Sequence, residues 1–498
     1  MKEQAELQLA GISLKKSEAA PLYRQLYEGI RQNILGGQLR PGERLPATRE
    51  MARVLNVSRN TIALAYDCLL AEGYIVGFTG SGTYVNQDLP EEFTQAYHPA
   101  VDSPPQHPPQ QRRLSQRSRL LTRPLVGPGQ ISEEIRPFRH GTPALRDFPE
   151  QLWARLAARC WRDMKPALLW YHDPAGYHPL REAIAAYLRR SRAVNCEAEQ
   201  VIVINGAQQG LNLAANILLD PGDTVWVEDP CYLGTKSAMQ IAGANLVPVP
   251  VDDEGLNIEA GKQVAPSARM VYVTPSYQFP LGITMSLKRR LHLLQWAEQA
   301  GAWILEDDYD SEFRYSGPPL ASLQGLDVQQ RVIYVGTFSK VLFPGLRLGY
   351  LVVPPDLVDA FASARAVADR GSSMVEQVVV AEFMAQGHFG RHIRRMRVLY
   401  QSRQQVLIEA LAQHLPNVLR VQPSEAGMHL IGRLPPDADD RAVSEKLAQA
   451  GVIAAPLSSY TLQHPCPPGL VLGYTAYSKL EIKRAVKRLA QVLKTAFN

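Results

Sequence analysis

RVIYVGTFSKVLFPGLRLGY, residues 331–350, is the stretch on which the fold turns. Residues 332–335 form an apolar, β-branched run that stops at Gly336-Thr337-Phe338-Ser339-Lys340, and Pro344-Gly345 and Arg347 follow within seven residues of the lysine. Such a run is a buried strand, and its abrupt end delivers one lysine into a polar pocket beside small hydroxylated neighbours and an arginine. A strand-end lysine standing alone is ordinarily solvated. One that is desolvated and crowded by cations loses its proton more easily, and its amine can form a Schiff base with an aldehyde.

Around this stretch lie 498 residues, 46% of them apolar, which is enough for two or three domains with real cores. No apolar run reaches the length of a membrane helix, and the opening MKEQAELQLAG has no hydrophobic signal core, so a soluble, cytoplasmic protein with no membrane partner is expected. Cys68, Cys160, Cys196, Cys231 and Cys466 are scattered and form no C-x-x-C pair; neither a disulfide framework nor a metal site is expected. The net charge of +5 is only mildly basic, but its distribution is informative. Arg40, Arg44, Arg49, Arg53 and Arg59 stand against Glu43 and Glu50, and residues 103–132 hold five arginines and no acid.

In PLYRQLYEGIRQNILGG (21–37), Leu22, Leu26, Ile30 and Ile34 fall at helical spacing, closed by Gly36-Gly37. Beyond it, Thr48 is expected to cap a short helix to Leu55, Asn56-Val57 to make a tight turn, and Ser58 to cap a second helix to about Glu72. Two short β runs around Gly80-Ser81-Gly82 complete the pattern of a winged helix-turn-helix. The segment strongly resembles the GntR-type winged helix, whose P-G-x-x-L-P-x-x-R-E-L-A-x-x-x-x-V-S-R-x-T hallmark runs here from Pro41-Gly42 to Thr61, with Met51 for the usual leucine. The resemblance implies double-stranded DNA as partner. Arg49 would contact it from the first helix, Ser58, Arg59, Asn60 and Thr61 would open the recognition helix, and Ser81-Gly82 would carry the wing tip to the minor groove. The chemistry agrees: helix N-termini and hydroxyls suit phosphate, and an arginine fork suits guanine.

Residues 87–130, rich in proline, glutamine and arginine and without apolar period, form a linker long enough to carry the N-terminal domain across to a partner subunit. From FRHGTPALRDFP (138–149) onward, helical patterns alternate with VIVING, TVWVEDP, NLVPVPVD, RMVYVTP, AWILEDD and RVIYVGT, the βαβ rhythm of an α/β domain with a largely parallel sheet. Ligands of such sheets bind at strand ends. Gly206-Ala207-Gln208-Gln209-Gly210 opens a helix directly after a strand, where free backbone N–H groups cradle phosphate. Glu228-Asp229-Pro230-Cys231-Tyr232 ends a strand with an aromatic ring, and Ile304-Leu305-Glu306-Asp307-Asp308-Tyr309-Asp310 runs an apolar strand straight into acids.

In this order the motifs resemble those of fold-type I pyridoxal phosphate (PLP) enzymes, the class I aminotransferases. The resemblance implies PLP held by Lys340 as a Schiff base, with Arg347 and Ser339 or Thr337 on its phosphate and Ala207-Gln208 in the cradle. Tyr232 would stack on the pyridine ring, Asp307 would bond its nitrogen, and Tyr309 its ring hydroxyl. LWYHDPAG (169–176) resembles the motif whose tyrosine, here Tyr171, reaches the phosphate of the neighbouring subunit, which implies a homodimer.

The combination resembles the MocR family of transcriptional regulators over nearly the whole chain, and TPSYQFPLGITMS (274–286) and EDDYDSEFRY (306–315) look like that family's motifs. Phe279 stands where aminotransferases carry an asparagine, and Val471 where they carry the arginine that anchors an α-carboxylate. Gly234 and Ser459 stand where the family's γ-aminobutyrate sensor has arginines. A buried carboxylate without a cationic partner is costly, and Arg139, Arg394 or Arg397 would have to supply one. The expectation is therefore multidomain. An α+β winged helix-turn-helix (19–86) and a linker (87–130) precede an α/β PLP-dependent transferase-like domain of fold type I (131–498). The chain should act as a DNA-binding regulator that senses PLP or a small amine and has at most residual transamination. The alternative is a working aminotransferase with an appended DNA-binding domain.

Overall fold

Leu26, Ile30 and Ile34 recur every fourth residue, and they form the buried stripe of helix α1 (Leu22–Leu35), which ends at Gly36 with a backbone bond to Gln32. These observations come from a computed structural model that describes residues 20–78, 81–89, 136–317 and 320–497, with Leu9, Ile12, Leu14, Lys15 and Ser115. The chain divides into two units, 1–113 and 114–498. Apart from residues 87–89 and Ser115, the expected linker lies outside the described residues. No helix among the described residues is long and apolar enough to cross a membrane.

In the N-terminal unit, α2 (Thr48–Val54) and α3 (Arg59–Ala71) join through Asn56, whose φ of 52° makes the tight turn. Ser58 caps α3 as expected, its hydroxyl accepting from the Thr61 N–H at 3.1 Å. The expectation for Thr48 needs correction. It is already helical, and the extended cap position falls on Ala47, whose N–H donates instead to Glu50 Oε2 at 3.2 Å. A residue with helical φ/ψ cannot turn its hydroxyl back onto the first-turn donors, so the glutamate supplies the terminal acceptor. Strands β1 (Ile75–Phe78) and β2 (Gly82–Val85) pair antiparallel from Ile75↔Val85 to Phe78↔Gly82 and form the wing. Leu26, Ile30, Met51, Ile62, Leu69 and Ile75 meet in the core of this unit.

In the C-terminal unit, α4 (His178–Arg192) precedes an eight-stranded sheet. Its strands are β3 (Val201–Ile204), β4 (Thr224–Asp229), β5 (Asn245–Asp252), β6 (Gly255–Leu256), β7 (Met270–Val273), β8 (Trp303–Asp308), β9 (Val332–Thr337) and β10 (Gly349–Val352), in the order β3-β10-β9-β8-β7-β4-β5-β6. The run β9-β8-β7-β4-β5 is parallel throughout, as the unbroken apolar runs anticipate for strands covered on both faces. Antiparallel β10, inserted between β3 and β9, and two-residue β6 are not among the six runs visible in sequence. Helices α5 (Ala207–Leu218) and α6 (Val358–Asp369) cover the β3 end of the sheet. The long α7 (His388–His414) leads into a smaller antiparallel sheet of β11 (Arg420–Val421), β12 (His429–Arg433), β13 (Ala455–Pro456) and β14 (Gly469–Gly473), and α8 (Lys479–Phe497) packs back on α7.

One buried ion pair ties α4 to the end of β8. Arg192 Nε donates to Asp308 Oδ2 at 2.9 Å, its Nη1 reaches the Leu320 carbonyl and its Nη2 the Ser276 hydroxyl. Tyr334 and Ser311 also donate to Asp308. Removing one partner of such a pair strands a charge in a dry interior. Arg192→Met is therefore expected to cost about 3–5 kcal/mol of stability, measured by urea unfolding at pH 7.

Candidate functional site

Three consecutive acids close β8, and strand alternation sends them to different places. Glu306 accepts from the backbone N–H groups of Leu323 and Gln324 at 2.9 Å, and Asp308 takes Arg192. Asp307, between them, points to the opposite face and meets Tyr272 of β7, whose hydroxyl donates to Asp307 Oδ2 at 2.9 Å. The register explains the meeting: Tyr272 pairs with Leu305, so Tyr272 and Asp307 sit two residues apart on the same face.

That face opens into a cavity of about 210 Å³ at the carboxyl ends of the strands. Ala207, Gln208, Tyr232, Asp307, Tyr309, Thr337, Ser339, Lys340 and Arg347, all singled out from the sequence, line it together. Lys340 Nζ donates to the Gly141 carbonyl at 2.9 Å. Burial holds this amine below the ordinary lysine range, against the opposing charges of Asp310 and Asp307. Burial pushes the Asp307 carboxyl up to about 7, against the Tyr272 bond and the Lys340 charge. Asp307 Oδ1 and Tyr309 Oη are both buried without a hydrogen-bond partner. Of the eleven buried side-chain atoms without a partner among the described residues, these two are the ones on residues that line the cavity, where a bound ligand would meet them.

The other end of the cavity is built for an anion. Gly206 has φ of +88° and N-caps α5, so no side chain covers the first-turn N–H groups. Arg347 lies against this turn and donates from Nη2 to the Asn205 carbonyl at 3.0 Å. Arg347 itself has φ of 51°, a left-handed conformation that is unusual for an arginine and typical of ligand-holding residues. Thr337 Oγ1 accepts from the Ser339 N–H at 3.1 Å beside it. Amine, carboxyl and phenol at one end and an anion cradle at the other fit PLP. Lys340 can take its aldehyde, Asp307 Oδ1 its pyridine nitrogen, Tyr309 its ring hydroxyl, and the Gly206 turn with Arg347 its phosphate.

Tyr171 is not brought into this cavity. It is 67% exposed, and the Arg370 guanidinium lies 5.0 Å from the centre of its ring. His140, Gly141, Tyr272, Met428 and His429 line the cavity but were not singled out from the sequence. Of these only Tyr272 carried a signal, as the one hydrogen-bonding side chain in the run MVYV. Burial drives the His140 imidazole down to about 3 and that of His429 to about 4, so both are neutral near pH 7. Phe279 sits among Tyr232, Tyr309, Tyr460, His140 and His429, with ring centres 5.1–6.1 Å away. Val471 is wholly buried, packed with Phe279, Leu457 and Tyr460. A Cβ on Gly234 would fall 2.3 Å from Gln208 Oε1 and the Tyr232 ring, so a side chain there would displace both. Arg139, Arg394 and Arg397 are not among the residues lining the cavity.

In the N-terminal unit, Arg49, Ser58, Arg59, Asn60 and Ser81 are exposed, and Thr61 and Gly82 are half-buried. The Thr61 and Ser58 hydroxyls bond each other at 2.8 Å, and Ser81 Oγ bonds the Tyr84 hydroxyl at 2.8 Å. Arg44 packs over Gly82 at the base of the wing.

The buried carboxyl gives a pH test. Asp307 rises from an ordinary 3.8 to about 7 on folding, so the folded state holds the proton more tightly. The stability this contributes is full below about pH 4 and is lost as pH rises to about 7. In cofactor-free protein, Asp307→Asn should therefore gain melting temperature over the parent at pH 8 by more than at pH 5. An equal difference at both pH values would exclude the raised carboxyl.

Both units match known families. The family described as "Bacterial regulatory proteins, gntR family" matches residues 22–85, and "Aminotransferase class I and II" matches residues 144–489. The chain is 41% identical over 478 residues to the "Probable rhizopine catabolism regulatory protein MocR" of Rhizobium meliloti, covering 96% of this chain and 94% of that one. It is 32% identical to the "HTH-type pyridoxine biosynthesis transcriptional regulator PdxR" of Corynebacterium glutamicum, covering 94% of this chain and 95% of that one. Among solved structures, the kynurenine aminotransferase of Pyrococcus horikoshii in complex with PMP superposes with a TM-score of 0.68 at 29% identity, over 78% of this chain and 96% of that one. Because regulators of this two-part architecture match almost end to end, the chain belongs to the MocR-type transcriptional regulators, in which a gntR-family winged helix is joined to a PLP-binding domain of the class I and II aminotransferase fold.

Proposed function

We propose that occupancy of the Lys340 cavity, by PLP alone or by PLP together with a small amine, sets the affinity of the winged helix for its operator. The observation that carries this reading is the pair of buried, unmatched atoms, Asp307 Oδ1 and Tyr309 Oη, in the same cavity as a desolvated lysine. Bound PLP supplies an aldehyde for amines and, on a protonated pyridine, an electron sink. The chain's own residues supply the rest. Lys340, its proton loosened by burial, offers a nucleophilic amine. Asp307 holds a negative charge or a proton opposite the ring nitrogen, and the Gly206 turn and Arg347 orient the phosphate. Aromatic rings and neutral histidines exclude water from the remaining wall. The names of two relatives, one a regulator of pyridoxine biosynthesis and one of rhizopine catabolism, support a vitamin or small-molecule signal. With Val471 sealed in the core, an amino-acid carboxylate has no guanidinium at that position, which favours sensing over efficient transamination.

In the same reading, residues 19–86 are the DNA-binding domain, 87–130 a tether, and 131–498 the sensor of a cytoplasmic homodimer in which Tyr171 reaches the partner's phosphate. Arg49 and Arg59 touch the duplex, with Ser58, Asn60 and Thr61 at the start of α3 and Ser81 and Gly82 at the wing. A ligand shifts a regulator only by its differential affinity for the two states, and the contacts above are numerous enough to supply the few kcal/mol needed.

The test is operator affinity of cofactor-free protein, PLP-loaded protein, and PLP-loaded protein with a panel of amines and amino acids. Lys340→Ala should lose the visible absorbance of bound PLP, resist borohydride fixation of a pyridoxyl group, and lose the response of DNA affinity to PLP. Rapid turnover of an amino acid with a keto acid, at unchanged operator affinity, would replace the sensor with a working aminotransferase. For the DNA face, Arg59→Ala should weaken operator binding by about 1–3 kcal/mol while PLP absorbance survives. Unchanged footprints in the Arg59→Ala, Arg49→Ala double variant would move the DNA interface elsewhere.

A further inference from the structure

Behind the Gly206 turn, three side chains that do not line the cavity close a hydrogen-bonded ring. Asp369 Oδ2 accepts from Asn205 Nδ2 at 2.6 Å and from Gln209 Nε2 at 2.8 Å. Gln209 Oε1 in turn accepts from the Asn205 backbone N–H at 2.8 Å. The Asn205 carbonyl, on the same residue, receives Arg347 Nη2 at 3.0 Å. Asn205 and Asp369 lie 164 residues apart, so no local pattern brings them together. The ring bolts the β3–α5 turn to the last residue of α6.

The far side of Asp369 is anchored as firmly. Its Oδ1 accepts from the Gly371 N–H at 3.1 Å and pairs with Arg365 one turn earlier on α6. Arg365 is wholly buried, and its remaining N–H groups reach the Val203 carbonyl at 3.1 Å and the Ser372 hydroxyl at 2.8 Å. A bare carboxylate this close to an anion cradle would repel a phosphate. Paired with Arg365 it carries little net field, so the ring contributes geometry and not charge. What it holds is the backbone N–H and the side chain of Asn205, while Arg347 holds the carbonyl of the same residue, so Asn205 is gripped on both sides just before Gly206 and the first N–H groups of α5. An anion cradle is effective only when its donors are already aimed.

We propose that Asp369 is a positioning residue for the cofactor phosphate: through Asn205, Gln209 and Arg347 it holds the cradle in its anion-binding orientation, and so sets how strongly the site prefers a phosphorylated ligand to the same ligand without phosphate. This rests on the reading above that the Gly206 turn and Arg347 form the phosphate end. A merely structural role would weaken all ligands alike, whereas a cradle-positioning role weakens only the phosphorylated one.

The experiment measures dissociation constants of PLP and of pyridoxal on full-length, cofactor-free protein by visible absorbance. The readout is the ratio of the two constants in the parent and in Asp369→Asn, Asn205→Ala and Arg347→Ala. Asp369→Asn and Asn205→Ala should each lower the preference for PLP by about tenfold, the scale on which loss of an outer partner weakens a ligand-holding group. Pyridoxal affinity should stay at the parent value. Should Asp369→Asn fail to fold because Arg365 loses its counter-charge, Asn205→Ala, which keeps that pair, decides the matter. Equal loss for PLP and pyridoxal, or no loss for either in Asn205→Ala, overturns the proposal. If Arg347→Ala also leaves the ratio unchanged, the phosphate-end assignment itself fails; if Arg347→Ala lowers it and Asn205→Ala does not, only the role of Asp369 falls.

Discussion

Lys340 and Asp307 line one cavity and are bonded to neutral partners, the Gly141 carbonyl and the Tyr272 hydroxyl, instead of to each other. Each is pushed toward its neutral form by burial, the amine downward and the carboxyl upward. A site in that condition has unmet hydrogen-bonding capacity that only a ligand of the right polarity satisfies. Ligand binding is then coupled to the stability of the sheet edge that carries both groups, because whatever binds the folded state alone stabilises it in proportion to its occupancy. In an enzyme this coupling is incidental. In a protein whose other half binds DNA, it is free energy available to bias a conformational equilibrium.

In the C-terminal unit, the parts of the fold and site legible in the sequence are those carried by strand ends. Lys340, Asp307, Tyr232 and the Gly206 turn each follow an unbroken apolar run, and a parallel sheet necessarily gathers such ends along one edge. What stayed hidden depends on long-range contact. Gly141 meets Lys340 across 199 residues, and Asp369 meets Asn205 across 164. Strand β10 is not set apart in the sequence, because it follows β9 without the α-helical pattern that separates the parallel strands from one another. At Thr48 the residue type was right for a cap, but the helix started one residue too early for its hydroxyl to serve. Tyr171, whose expected contact is with a second chain, is exposed on this one.

In the proposed reading, the wall beside Lys340 suits the site to sensing while the frame of the aminotransferase fold is kept. Phe279 fills the centre of a group of rings, Val471 is absorbed into the hydrophobic cluster beneath it, and the adjoining histidines carry no charge near pH 7. The cationic side chains lining the cavity are Lys340 and Arg347. In the proposed reading the charges complementary to a cofactor stand at its two ends, while the histidines of the wall between them are neutral near pH 7. These positions fall on loops and on the small sheet, outside the parallel core.

The antiparallel return from β9 to β10 has a consequence of its own. Thr337 pairs directly with Gly349, so the segment between them, which carries both Lys340 and Arg347, is a single closed hairpin excursion stapled at its base. In the proposed reading, the separation between the Lys340 amine that would meet an aldehyde and the Arg347 guanidinium that would meet an anion is thus set by one loop. On that reading the loop acts as a gauge of molecular length. A compound whose reactive carbon and negative charge are too close together or too far apart engages one jaw or the other, and only a molecule of matching span engages both.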